Sequence, residues 1–194
     1  MKINEEQFEN LVLRWFDELG YKYENGYEIA PDTTRAERAD YRQVFLVGRL
    51  REYLIELNPH IPNSAIEDAI ANITRPNFPS LIQNNREFHR QLRDGVKVEF
   101  QADGETKGDF VRLIDFENVE NNDFLAVNQF SIKGTRSTKR PDIIIFINGL
   151  PIAVIELKNP ADEKTTIVDA FRQLQTYKAE IPDLFNTRPL AKVI

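Results

Sequence analysis

The sequence predicts an α/β protein with a central mixed β-sheet flanked by helices and a mostly helical amino-terminal half. Before Val96, apolar residues recur at the 3, 4 spacing of helix faces, whereas from Val96 onward the apolar segments are rich in β-branched and aromatic residues. Two of the later segments, DIIIFI and IAVIEL, are apolar at consecutive positions, so both of their faces must be covered. With 194 residues, 41% of them hydrophobic and 13 of them Phe, the chain can bury one core. Ten prolines, eight glycines and no Ser, Gln or Gly tract leave no linker. One compact domain is expected over 1–194, its helical part about 1–95 and its sheet-bearing part about 96–194.

Phe8, Leu11, Val12, Trp15, Phe16 and Leu19 mark the inward face of a first helix, capped by Asn4 and stopped by Gly20. A second helix is expected from Glu37 to Leu57, burying Val44, Phe45, Leu50, Tyr53, Leu54 and Leu57, with a capping-box spacing from Thr34 to Glu37. Pro59, Pro62, Pro76 and Pro79 bracket a shorter helix after Ser64, whose Glu67 completes a second such box, and a further helix covers Ile82 to Leu92. VKVEF, FLAVNQFSI, DIIIFI and IAVIEL follow as strands. Thr166 can cap a last helix to about Glu180, with Ile167, Ala170, Phe171 and Leu174 inward and Pro182 as its stop. The closing PLAKVI has the composition of a strand, as expected of a fragment of a longer protein.

Composition excludes several classes. A net charge of −6 argues against a polybasic nucleic-acid binder, because nonspecific affinity comes from Lys and Arg neutralising phosphates. The polar start MKINEEQFEN is no secretory signal, and no apolar run is long enough to span a membrane. The absence of cysteine fits a cytoplasmic protein and removes any thiolate metal site. His60 and His89 lack a ligand pattern around them, and no GxxxxGK[ST] occurs, so these residues hold no ATP site.

Chemistry concentrates in RPDIIIFINGLPIAVIELKNP. Asp142 opens one strand and Glu156 and Lys158 close the next, so three charges meet at one end of the sheet. Glu156 and Lys158, two apart, project to the same face while Leu157 points back into the core. A regular ladder from a two-residue Asn148-Gly149 turn would pair Asp142 with Ile155 and separate the carboxylates. A three-residue loop with a bulge at the glycine, or a bend at Pro141-Asp142, would bring them together, and one of these is expected. Mg²⁺ prefers carboxylate, carbonyl and water oxygens, which suits Asp142, Glu156 and the backbone carbonyl of Leu157, with Lys158 left to orient water or stabilise phosphate charge. An isolated ExK is usually a surface ion pair; Pro141-Asp142, the hairpin and the doubly covered strands set this one apart. Gln173 and Tyr177, spaced i, i+4 on the last helix, are within reach of the same end. Lys133, Arg136, Lys139 and Arg140, on a loop just before Asp142, are candidate phosphate contacts.

Pro141-Asp142, Glu156-Leu157-Lys158-Asn159-Pro160 and Gln173-Leu174-Gln175-Thr176-Tyr177 resemble the PD, ExK and QxxxY motifs of type I restriction enzyme motor subunits, which are PD-(D/E)xK nucleases. RecB-like nucleases share this order. The stretch GDFVRLIDFENVENNDFLAVNQFSI and the INGLPIAVIELKNP run narrow the resemblance to the restriction family over about residues 96–194, and more loosely to the first helix with Gly20 and Tyr21. The resemblance implies a restriction-endonuclease-like core in which Asp142 and Glu156 hold Mg²⁺, Lys158 is catalytic, and Gln173 and Tyr177 support DNA positioning. It also implies that a full-length subunit continues into an ATP-driven translocase, so that ATP belongs to that longer chain, and that double-stranded DNA and separate specificity and methyltransferase subunits are its partners. First-helix glutamates add a metal contact in some related nucleases, which makes Glu5 and Glu9 further candidates. The competing readings are a RecB-like or junction-resolving repair nuclease and a non-catalytic DNA-binding or docking module.

Overall fold

A computed structural model describes residues 5–75, 78–158, 167–186 and 191–193. Helix α1 (Glu5–Glu18) packs Val12, Leu13, Phe8 and Phe16 against the sheet and closes at Gly20, whose φ is 87°. Trp15 and Leu19, expected inside, are 50% and 73% exposed. The helix contributes a narrow stripe to a small cluster, so that stripe includes Leu13 and leaves the far side of the expected face in water. Asn4, the expected cap, lies outside the described residues.

The sheet has five strands in the order β1-β4-β7-β8-β9: β1 (Lys22–Asn25), β4 (Phe124–Asn128), β7 (Ile143–Ile147), β8 (Leu150–Ile155) and β9 (Ala191–Val193). It is mixed, with β1 parallel to β4, β8 parallel to β9, and the two central pairings antiparallel. Side chains alternate between its faces. Leu125, Val127, Ile144, Phe146 and Val154 join the main core with the later helices, whereas Ala126, Ile143, Ile145 and Ile155 meet α1. Strand β1 was not expected, because KYEN carries no apolar alternation and lies at an edge.

The second expected helix is α2 (Val47–Leu57) alone. Upstream, side chains take over the backbone bonding: Gln43 bonds Ala39 N and Phe45 O, and buried Arg38 reaches Gln43 O and Ser131 O while stacking 3.6 Å from the Phe130 ring centroid. Glu37 closes no capping box and instead binds Arg49 at 2.7 Å. Helix α3 (Asn63–Thr74) starts one residue before Ser64, makes no side-chain cap, and turns Glu67 to Arg51. Helix α4 (Leu81–Asp94) matches its expected place.

Strand β2 (Val96–Ala102) pairs with β3 (Glu105–Val111) in a separate hairpin; the polar ETKGDFV gave no strand signal. FLAVNQFSI does not run as one strand. It breaks at Gln129, where φ is 56°, and resumes as β5 (Ile132–Lys133), which pairs with β6 (Thr138–Lys139). Helix α5 (Ile167–Glu180) buries Ala170 and Leu174 but leaves Phe171 48% exposed, and α6 (Asp183–Asn186) follows Pro182. Thr166 lies outside the described residues.

Candidate active site

The β7–β8 hairpin decides whether the two carboxylates meet. Its turn is a two-residue Asn148-Gly149 loop with φ of 51° and 77°, the left-handed pair that such hairpins require. The first pairs are Ile147 with Leu150 and Phe146 with Pro151; then the register shifts, and Ile145 faces Ala153, Ile144 faces Val154 and Ile143 faces Ile155. Ile152 is the extra residue. The expected bulge therefore exists but sits beside Pro151 rather than at the glycine, and Pro151, lacking an N–H to donate, suits that place. Continued by one residue, the shifted register puts Asp142 opposite Glu156.

Asp142 Oδ2 accepts a hydrogen bond from Leu157 N at 2.6 Å, locking the two strand ends together. Leu157 itself is buried against α1, as expected. Glu156 is 3% exposed, and its Oε2 is buried with no hydrogen-bond partner among the described residues. Burial and then the Asp142 charge push the Glu156 carboxyl up to about 7, against the pull of Lys158 and the Tyr177 hydroxyl. Lys158 Nζ lies 3.2 Å from Glu156 Oε1 and 2.7 Å from Gln173 Oε1. Gln173 Nε2 in turn donates to the Tyr177 hydroxyl at 2.8 Å. Tyr177 is buried, which pushes its own pKa upward. The helix α5 thus delivers an amide and a phenol to the two strand ends.

An orphaned carboxylate oxygen beside a second carboxylate is the arrangement a cation relieves, and the donor set is all oxygen, which suits Mg²⁺. Among the described residues no group of three acidic or histidine side chains gathers to hold a metal, so carbonyl, water or phosphate oxygens would have to complete the shell. Glu9 is buried near this end, but its two oxygens accept from Asn128 Nδ2 and Gln129 Nε2, each at 2.7 Å. The Glu5 side chain lies outside the described residues.

The basic run is a short hairpin rather than the expected loop. Lys139 is paired with Glu180 of α5 at 3.0 Å, and Ser137 also donates to that carboxylate. Lys133 and Arg136 are exposed, and Arg140 stacks over Tyr27. Glu180 was missed in the sequence, although Gln173, Tyr177 and Glu180 at i, i+4, i+7 lie along one helix face.

The chain matches, over residues 2–192, the family described as the type I restriction enzyme R protein N terminus. It belongs to that family. It is 42% identical over 184 residues to the type I restriction enzyme HindI endonuclease subunit of Haemophilus influenzae, covering 94% of this chain and 17% of the relative. It is 36% identical over 189 residues to the putative type I restriction enzyme MjaIXP endonuclease subunit of Methanocaldococcus jannaschii, covering 95% of this chain and 18% of the relative. This R protein N-terminal region therefore spans under a fifth of either relative's length. Among its described residues no helix is long and apolar enough to cross a membrane.

Proposed function

We propose that this chain is the Mg²⁺-dependent endonuclease domain of a type I restriction R subunit. It hydrolyses phosphodiester bonds of unmodified double-stranded DNA after ATP-driven translocation by the rest of the subunit, within a cytoplasmic complex that includes specificity and methyltransferase subunits. The observation that carries this reading is the buried Glu156 oxygen, unpartnered among the described residues, beside Asp142, with Lys158 3.2 Å from the same carboxylate.

Asp142, Glu156 and the Leu157 carbonyl would hold the metal. Bound there, Mg²⁺ supplies positive charge at the phosphate and acidifies a coordinated water. Lys158, kept off a fixed pairing by being shared between Glu156 and Gln173, offers its ammonium to the attacking water or to a phosphate oxygen, where charge grows in the transition state. Gln173 sets the position of that ammonium, and Tyr177 anchors Gln173. Arg140, which shares a cleft with Asp142, and the exposed Lys133 and Arg136 of the preceding hairpin would meet phosphates without reading bases.

The test is cleavage of supercoiled plasmid by the assembled enzyme with ATP and Mg²⁺, comparing Asp142→Ala, Glu156→Ala and Lys158→Ala with the unaltered protein. Each substitution is expected to abolish cutting while ATP hydrolysis and translocation persist. Cutting that survives all three would make these residues structural.

A further inference from the structure

Asp142 also forms part of the wall of a cleft of about 580 Å³ on the α1 side of the sheet end, a size within the roughly 300–1,000 Å³ of ordinary ligand clefts. Arg140 and Tyr27 stand on the same wall, and the amides of Asn10, Asn25 and Gln129 line it too. We propose that this cleft seats the nucleotide next to the scissile phosphate, with Arg140 gripping that nucleotide's own phosphate and Tyr27 holding the guanidinium in place. The proposal rests on the nuclease reading above and adds a substrate subsite to it.

Three observations carry it. The first is the state of Arg140. Of the run's cations, Lys139 is neutralised by Glu180, whereas Arg140 pairs with no carboxylate among the described residues. Its guanidinium lies 5.4 Å from the Tyr27 ring centroid and its Nη1 donates to the Tyr27 hydroxyl. A guanidinium held beside a ring and bonded to its hydroxyl has given up part of its rotamer freedom before any ligand arrives, and its planar fork matches a phosphate.

The second is how rigidly Tyr27 is referred to Asp142. Tyr27 is 51% exposed, yet its backbone N–H bonds Asn25 Oδ1 at 2.9 Å. Gly26 is pressed so closely against the neighbouring segment that a Cβ there would come within 2.7 Å of both Gln129 O and Phe130 Cα. Gln129 N in turn bonds the Asp142 carbonyl at 3.2 Å. Arg140, two residues before Asp142 with buried Pro141 between them, is tied to the same point from the other side.

The third is the lining. Two glutamates line the cleft as well and oppose a phosphate: Glu6 is exposed to water, which screens its charge, and both oxygens of Glu9 are turned to Asn128 and Gln129, so Arg140 is the group that must outweigh them. The remaining amides are neutral groups that can donate to sugar and phosphate oxygens, a backbone contact indifferent to sequence.

The experiment uses the assembled enzyme on supercoiled plasmid across about 50–200 mM salt, with ATP hydrolysis followed in parallel. Arg140→Gln is expected to slow cutting roughly 5- to 30-fold, the loss of one fixed charged contact, with ATP hydrolysis unchanged and the salt dependence of cutting reduced. Tyr27→Leu should slow cutting in the same direction, Tyr27→Phe, which removes only the hydroxyl that Arg140 meets, should fall between Tyr27→Leu and the unaltered enzyme, and the Arg140→Gln, Tyr27→Leu double variant should be no slower than Arg140→Gln alone, because both remove one contact. If Asp142→Ala is dead but Arg140→Gln and Tyr27→Leu cut like the unaltered enzyme, the subsite is wrong and the nuclease reading stands. If Asp142→Ala still cuts, the nuclease reading itself fails. A double variant whose losses multiply would overturn the role given to Tyr27.

Discussion

Glu156 is the residue on which the site turns, because its environment opposes its charge. With the carboxyl raised from an ordinary 4.5 to about 7, the folded state favours the protonated form. The stability this contributes is complete below about pH 4.5 and is lost as pH rises through 7, a swing on the order of 3 kcal/mol. The proposed metal would need the opposite form, so it would compete with a proton below 7 and not above it. Thermal melts at pH 5.5 and 8 should therefore show the metal-free protein less stable at pH 8, with Mg²⁺ restoring stability at pH 8 far more than at pH 5.5. Glu156→Gln should flatten both effects; a variant that still responds to Mg²⁺ at pH 8 would show that the cation binds elsewhere. Gln173 invites a second prediction. It spans Lys158 and Tyr177 without being a charge itself, so Gln173→Ala should slow plasmid cutting about 10- to 100-fold, as loss of a supporting partner does. Gln173→Glu would instead pair Lys158 outright and should cut no better than the alanine variant.

Among the elements, the β7–β8 hairpin carries the most consequence, because one extra residue in β8 decides which face Asp142 shares. Gly149 pins that hairpin twice: its φ is 77°, and a Cβ would come 2.5 Å from Leu46 O, whose residue donates its own N–H to Gly149 O at 3.0 Å. Gly149→Val should cost at least about 1–3 kcal/mol in thermal or denaturant unfolding; a neutral result would mean that the turn relaxes freely. The strands of this hairpin were legible in the sequence because both are apolar on both faces, and the need for an irregularity was legible from counting residues. Its place was not, since Pro151 and Ile152 are equally compatible with a regular strand until their partners are known. Polarity hid β1 and β3, which carry little of the core. Residues 37–46 misled in the other direction: Val44, Phe45 and Leu46 are buried as a helix face would be, but Arg38 and Gln43 supply side-chain bonds that hold an irregular loop. Asp142, Glu156, Lys158, Gln173 and Tyr177 were readable from local motifs, whereas Tyr27 and Glu180 enter through contacts of high sequence separation that no local spacing announces.

At the scale of the whole molecule, the sheet has two polar ends that have been treated in opposite ways. At the end holding the Asn148-Gly149 turn, Asp123 has a side chain with no solvent exposure, and it is saturated: Lys22 lies 3.0 Å from one oxygen and Arg49 2.9 Å from the other, with Glu37 completing the Arg49 fork. Asn148, also buried, accepts from Asp123 N and donates to Leu113 O and Asn122 Oδ1. At the opposite end, Glu156 keeps an oxygen without a partner among the described residues, beside a second carboxylate. A fold that can pay the cost of burying charge so completely at one end has no structural need to leave it unsatisfied at the other, which is the reason to assign stability to the first and chemistry to the second. The two ends should therefore separate under substitution. Asp123→Asn removes the charge that Lys22 and Arg49 share and should lower stability by roughly 3 kcal/mol, while the stabilisation gained from Mg²⁺ at pH 8 stays that of the unaltered protein. Glu156→Gln should do the reverse, raising metal-free stability at pH 8 and abolishing the Mg²⁺ response. Paired melts of the two variants with and without Mg²⁺ decide the matter: if Asp123→Asn also erases the Mg²⁺ response, the ends are not independent and the cation reports on folding rather than on a site.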